Sequence, residues 1–487
     1  MASRSTNTAY ASDCGRAFWF AALYRRHIVT QVIQRTEHAR LAMIMAKEYN
    51  RNGVEYGSSR FAVRHVLIIA IFFAAISADE SESYRAPDRP VDPEYFGMHV
   101  HHAASGTPWP AVQFASWRLW DSGVAWPQLE PQRGKWDFTL LDRYVRIATE
   151  RNVEIVLTLG LTPDWASARP DEPSAYGKGN AAAPRVLADW EEYVRAVATR
   201  YKGVIHNYEI WNEPNIKADF SGSVAAMLQL SQSAYDVLKA VDATTTVISP
   251  SPTTGAGLVW FDDFLKRGGC QHSDVIGYHF YVTPDPPEAM IPLIKKVKSA
   301  LRARRCESKP LWNTESGWAK PRHFVSDAEA AGYLMRTYLV NWLMGVERTY
   351  WYAWDNHNWS TLELTAGAGN QMTAVGASYG VIRHWMLGAV LRSCSREPSG
   401  VWICQLDRKK TKSWILWSAN GTIQFRVLPS WGVKQVSNWT GDASTPANQL
   451  IVSSTPLLLT NSAPWLNSGK VSGYTLMSNL FWITIPV

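Results

Sequence analysis

Two glutamates in this 487-residue chain stand in settings suited to acid–base work. Glu213 lies in YEIWNEPN (208–215) and Glu315 in LWNTESGW (311–318), each wedged among Trp, Asn and Pro or Gly in what reads as a strand-terminal turn. A lone Glu near a strand end is usually solvated or caps a helix. Two such residues in such company point instead to a working pair, and glycosidic cleavage requires one: a carboxyl protonates the leaving oxygen while a carboxylate supports an oxocarbenium-like centre.

Other polar side chains have the spacing to serve that pair. His279 and Tyr281 in GYHFY share side-chain parity and face one side of a strand. Tyr281 suits a hydrogen bond that keeps Glu315 ionised; His279 either touches sugar or carboxylate or is a satisfied core residue. Arg118 in SWRLWD needs a carboxylate partner if buried, and the candidates are Glu315 and Glu209, which lies four residues inside the strand from Glu213. His99 and His101 point to one side, with His101 nearer the strand end as a candidate sugar ligand. The HVH pair has no third ligand at a recognisable spacing, so no metal and no cofactor are expected. Trp165 and Trp354 are candidate stacking platforms, Trp354 with the polar run Asp355, Asn356, His357, Asn358 as its rim; Trp351 reads as packing and Trp126 stays open.

Short apolar strands alternating with amphipathic stretches must position these groups. Strands are expected at 95–101, 115–120, 153–160, 204–211, 245–250, 274–281, 309–314 and 346–354, and helices between them, among others at 184–201, 222–241 and 326–343. Eight such units predict a (β/α)8 TIM barrel over residues 90–391, with reactive groups at strand C-termini. The 102 residues between the two glutamates equal three βα units of about 31 residues each plus an insertion, which places them across one barrel mouth. No glycine-rich phosphate loop follows the first strand, against a doubly wound sheet. From 392 to 487 helical periodicity stops, and segments such as VWICQL, KSWILWSA, IQFRVL, QVSNWT and QLIVSS predict a small β-rich, sandwich-like domain that either binds carbohydrate or covers the barrel.

WNEP after strand four and TESGW after strand seven resemble the signatures of the large barrel clan of retaining glycoside hydrolases. Residues 92–391, with FGMHVHH and WRLWDSGVAWPQLEP, are most similar to family 39 glycosidases, and within them to bacterial members associated with exopolysaccharide gene clusters. The resemblance implies Glu213 as general acid/base and Glu315 as nucleophile, with carboxyls about 5–5.5 Å apart rather than the roughly 6.5–9.5 Å of an inverting enzyme. Asn212 matches the position that hydrogen-bonds the sugar 2-hydroxyl, and Arg118 the basic residue beside the nucleophile. The expected activity is retaining hydrolysis of a polysaccharide or oligosaccharide. The alternatives are an exo-acting, β-xylosidase-like enzyme and a non-catalytic carbohydrate-binding barrel.

The chain carries 24 Trp, 20 Tyr and a formal charge of +7, which at face value would suit nucleic acid. Residues 1–78 hold 10 Lys plus Arg against 4 Asp plus Glu, however, leaving 39 against 38 beyond them and a net of +1. The electrostatic case for nucleic acid goes with that leader. Within it, VLIIAIFFAAISA (66–78) is an apolar run of 13 after Arg64 and His65, below the ~20 residues that span a bilayer. It reads as a signal peptide and implies an exported, periplasmic or extracellular protein, or else as an uncleaved anchor that attaches it to a membrane. Met43 or Met45 is an alternative start. Past Cys14, the even set Cys270, Cys306, Cys394 and Cys404 allows three disulfide connectivities, and Cys394 with Cys404 could bridge a hairpin. Sequons occur at Asn358, Asn420 and Asn438.

Overall fold

The computed structural model describes residues 88–462 except 368 and 410. The apolar run 66–78, the rest of the leader and the last residues of the β-rich tail lie outside them. Among the described residues no helix is long and apolar enough to cross a membrane.

Eight parallel strands make the barrel: β1 (Phe96–Met98), β2 (Ser116–Leu119), β3 (Glu154–Leu159), β4 (Asn207–Ile210), β5 (Thr246–Ile248), β6 (Ile276–Gly277), β7 (Leu311–Ser316) and β8 (Arg348–Trp351). They run in the order β5-β4-β3-β2-β1-β8-β7-β6. Parallel bridges Ile248↔Val275 and Thr253↔His279 bring the two ends of that order together. Each observed strand falls within an expected segment except β7, which runs on to Ser316 and so carries Glu315 inside the strand.

The connecting helices include α1 (Trp126–Leu129), α2 (Thr139–Arg151), α3 (Leu187–Arg200), α4 (Val224–Val241), α5 (Gly257–Lys266), α6 (Met290–Ala303), α7 (Asp327–Leu343) and α8 (Ala374–Met386). Three start on capping hydroxyls: Ser223 accepts from Ala226 N, Ser326 from Glu329 N and Thr373 from Gly376 N. In α2 only Leu141, Tyr144 and Ala148 are buried, the one-sided stripe of a surface helix. In α7, by contrast, every residue from Ala330 to Leu343 is buried.

Helix α8 packs along α7, and the β-rich tail completes its cover. After β8, β9 (Thr365–Ala366) and β10 (Gln371–Met372) pair as a short antiparallel ribbon ahead of α8. Strands β11 (Val390–Arg396), β12 (Val401–Arg408), β13 (Thr411–Ser418), β15 (Gln435–Ser437), β16 (Ala443–Ser444) and β18 (Leu457–Thr460) form one antiparallel sheet, while β14 (Ile423–Arg426) and β17 (Gln449–Val452) pair as a second ribbon. Alternation along β13 sorts its side chains. Trp414 and Leu416 join Val401, Val436, Val452 and Leu459 in a local core, whereas Ile415 and Trp417 join the barrel's core. A Cβ on Gly332 of α7 would lie 2.5 Å from the carbonyl oxygen of Ser454, so only glycine admits this approach. Trp417 Nε1 donates to Glu288 Oε1 at 2.7 Å, and Arg336 of α7 pairs with Glu288 Oε2 at 2.7 Å. The tail thus covers the barrel through α7 and the loop after β6. Disulfides join Cys270 to Cys306 and Cys394 to Cys404, the latter facing each other across β11 and β12.

Candidate active site

Both glutamates sit at the C-terminal mouth, held there by backbone geometry that differs between them. Glu315 rides on β7 and needs no special conformation. Glu213 lies three residues past β4, in a turn where Trp211 (φ 61°) and Glu213 (φ 42°) both adopt the left-handed region that costs non-glycine residues energy. Anchors fix the turn: Trp211 is buried with Nε1 on Asp219 O at 2.9 Å, and Glu213 N donates to Ser251 O at 3.0 Å. One carboxylate oxygen of Glu213, one of Glu315 and a ring nitrogen of His279 lie within 4.8 Å of one another.

Arg118 organises the floor. It is 0% exposed, and its Nε donates to Glu209 Oε2 at 2.6 Å, Nη1 to Glu315 Oε2 at 2.7 Å and Nη2 to Asn212 Oδ1 at 2.8 Å. Sequence offered Glu315 or Glu209 as its partner; it takes both, because a guanidinium can serve several acceptors at once. Glu209 also accepts from Thr158 at 2.8 Å, Ser251 at 2.5 Å and Thr314 at 2.7 Å. Burial opposes its charge, but Arg118 and these hydroxyls outweigh burial and hold its carboxyl below the usual range.

The two glutamates differ in what they accept. Glu315 receives Arg118 on one oxygen and Tyr281 Oη on the other at 2.9 Å. Burial first, with the charge of Glu213 adding, pushes the Glu315 carboxyl up to about 7 against these donors, both of which favour its ionised form, and burial keeps the Tyr281 phenol protonated. Glu213 instead faces His279, whose Nδ1 lies 2.8 Å from Oε1. Burial lowers His279 to about 4, so its imidazole is neutral. Burial, with the charges of Asp121 and Glu209 adding, pushes the Glu213 carboxyl up to about 7. The pair shares a proton through neutral pH, and the donors around Glu315 direct it to Glu213. The two glutamates and His279 could also ligate a divalent cation, which would then compete with that shared proton.

Asn212 is buried with Oδ1 committed to Arg118 and its amide hydrogen-bonded to the Asp219 carboxyl, which leaves one N–H to donate. His101 gives its main-chain N–H to Asp355 Oδ1 at 2.8 Å, and its Nε2 has no partner among the described residues. His99 is turned away, with Nε2 3.0 Å from Thr314 O. Asp355 is a buried clasp rather than a rim residue, because it also accepts from His102 N at 3.0 Å and Thr107 Oγ1 at 2.6 Å. Trp354 is 2% exposed and belongs to the core. Trp165 is half-buried, with Arg133 over its ring at 4.7 Å and Nε1 on Glu130 O at 2.9 Å. Trp126 stacks on Tyr193 and Trp351 on Trp318, both fully buried.

Two residues at the mouth, Asp121 and Trp359, have no role in the sequence reading, and a third, Gly317, has a reason that the motif alone does not show. Asp121 (φ 57°) is exposed and accepts from Tyr352 Oη at 2.6 Å. It lines a cavity of about 220 Å³ with Trp120, Gln128, Thr158 and Tyr176. Trp359, at 39% exposure, is the aromatic that the loop after β8 leaves open. A Cβ on Gly317, just past β7, would meet the carbonyl oxygen of Tyr352 at 2.3 Å, which is why TESGW needs its glycine. For Asp121 the available signal was a charged residue before Ser-Gly at the end of a strand.

The model of the family described as glycosyl hydrolases family 39 matches residues 116–341. The fold is similar to a family 39 glycoside hydrolase from the gut symbiont Bacteroides cellulosilyticus, with 19% identity, TM-score 0.60, and 76% of this chain and 81% of that one covered. It is also similar to a glucosidase from Croceicoccus marinus (14%, TM-score 0.56, 77% and 98% covered) and a monomeric β-xylosidase from Caulobacter crescentus (15%, TM-score 0.55, 77% and 97% covered). No curated protein matches in sequence. At these identities the structural likeness speaks for the barrel alone, while the family match spans β2 to α7 and both glutamates. Over that span the chain matches the glycosyl hydrolases of family 39.

Proposed function

We propose that the chain is a retaining glycosidase acting on a polysaccharide or oligosaccharide, with Glu315 as nucleophile and Glu213 as general acid/base. The observation that carries this reading is the approach of one oxygen of each carboxylate to within 4.8 Å. That suits the separation of about 5–5.5 Å for double displacement better than the roughly 6.5–9.5 Å of an inverting site.

In the first step a Glu315 oxygen attacks the anomeric carbon while Glu213 gives its proton to the glycosidic oxygen, and the leaving sugar departs as an alcohol. Ester formation neutralises Glu315, and the repulsion that helped keep Glu213 protonated disappears. Glu213 then takes a proton from water, the oxygen attacks the anomeric carbon, and Glu315 leaves as carboxylate. Arg118 and Tyr281 stabilise that carboxylate at both ends of the cycle, and the Asn212 amide is placed to donate to the 2-hydroxyl.

Export fits this reading. Two disulfides suit an oxidising compartment, and a secreted glycan would be met there. The test is proton NMR of the first product formed from a panel of polysaccharides, with product length read in parallel. Net retention is expected, with loss of turnover in Glu213→Gln and Glu315→Ala; a product of inverted configuration, or full activity in either variant, would overturn the assignment.

A further inference from the structure

Two exposed groups beside the glutamates are left over once the reaction is accounted for, and one brace holds both. Trp359 is 39% exposed. Its ring meets Tyr281 edge-on at 5.4 Å and Tyr352 at 5.2 Å, and Asn356 Oδ1 holds its main-chain N–H at 3.1 Å. The indole is thus backed on two sides by phenols while a large part of it faces water. Asp121 is the second group. Tyr352 Oη donates to its Oδ2 at 2.6 Å and accepts from Asn356 Nδ2 at 2.9 Å. Asn356 therefore fixes Trp359 directly and Asp121 through Tyr352.

A rigid, open indole offers the flat apolar surface on which the C–H face of a pyranose stacks. A carboxylate beside it accepts hydrogen bonds from hydroxyls, or more strongly from an ammonium, and repels another carboxylate. Arg118 does not offset that repulsion, since it is committed to Glu209 and Glu315. We propose that Trp359 and Asp121, braced by Tyr352 and Asn356, form a second sugar subsite beside the reacting one, which takes a neutral or amino-bearing pyranose and turns away a uronate. The inference rests on the glycosidase reading above and narrows it. The substrate is a chain of sugars, and its acidic members are poor substrates.

Binding to the Glu213→Gln protein tests this without turnover, by calorimetry and tryptophan fluorescence. The probes are xylo- and cello-oligosaccharides, oligoglucosamine and oligogalacturonate of graded length. The neutral or the amino series should tighten when a second sugar is added, and oligogalacturonate should bind at least about tenfold more weakly. Adding Trp359→Ala should weaken the favoured series about tenfold, with Trp359→Phe recovering most of the loss. Adding Asp121→Asn should close most of the gap between oligoglucosamine and oligogalacturonate. Melting temperatures of all variants check that they fold. Wild-type hydrolysis of aryl glycosides, together with variants that bind all series as the parent does or a parent that binds oligogalacturonate as tightly as the rest, overturns the inference alone. Absence of any hydrolysis and any binding overturns the glycosidase reading and the inference with it.

Discussion

Arg118 Nη1 lies 2.7 Å from Oε2 of Glu315, and the same guanidinium reaches Glu209 and Asn212. One buried cation therefore ties the end of β2 to those of β4 and β7. Lysine has the charge but not the fork, so Arg118→Lys leaves at least one of three acceptors without a donor. A lost hydrogen bond to a charged group costs about 1.5–3 kcal/mol. The variant should lose roughly that much stability in urea unfolding and at least about a hundredfold in kcat; a variant matching wild type in both would refute this organising role.

Tyr281 donates to the other oxygen of Glu315 at 2.9 Å. Hydrogen bonds to charged groups contribute about 1.5–3 kcal/mol, so Tyr281→Phe should lower kcat/KM about tenfold to a hundredfold. The pH profile separates this from a general loss. Removing a donor from the ionised form raises the pKa of Glu315, so the acidic limb moves to higher pH. The basic limb, governed by Glu213 with its carboxyl pushed up to about 7, should stay in place. The profile narrows from the acid side, and a uniform drop at every pH would count against the assignment.

Asp219 is buried beside Glu213, and burial first, then the charge of Glu213, pushes its carboxyl up to about 7 from an ordinary 3.8. Between those values the folded protein keeps a proton that the unfolded chain has released, so stability falls as pH rises through that window. Asp219→Asn removes that contribution. Its melting temperature should exceed that of wild type at pH 8 and converge with it toward pH 4, and parallel curves would sink the argument.

The disulfides close loops of unequal length, with sequence separations of 36 for Cys270–Cys306 and 10 for Cys394–Cys404. Loop-closure entropy assigns ~4 kcal/mol to the first and ~3 kcal/mol to the second. Cys270→Ser with Cys306→Ser should therefore lower stability in urea more than the corresponding pair at 394 and 404. The reverse order would mean that contacts at the β11–β12 edge, not chain entropy, set the effect.

Most of the barrel was legible because its strands are buried on both faces and stand out as apolar runs between amphipathic helices. The glutamates were legible because both sit in local motifs, WNEP and TESGW. What escaped depends on loops that converge from far apart in the chain. Asp121 and Tyr352 are 231 residues apart and meet only across the mouth, and Trp359 is open because of how its loop turns, which nothing in DNHNWS declares. The polar rim expected at Asp355 failed for a related reason: a carboxylate beside several unpaired main-chain N–H groups is drawn inward to satisfy them. The span of α7 was readable, but its burial on all sides was not, since the cover comes from α8 and from the chain at Ser454, 122 residues after Gly332.

That cover has a consequence for how such a protein can change over time. Gly332 leaves room for the chain at Ser454, and Glu288 accepts from both Trp417 and Arg336. A barrel exchanged onto a foreign tail would leave α7 open where Ser454 packs on it and a carboxylate missing one of its two donors. Recombination must therefore pass on barrel and tail as a single heritable block.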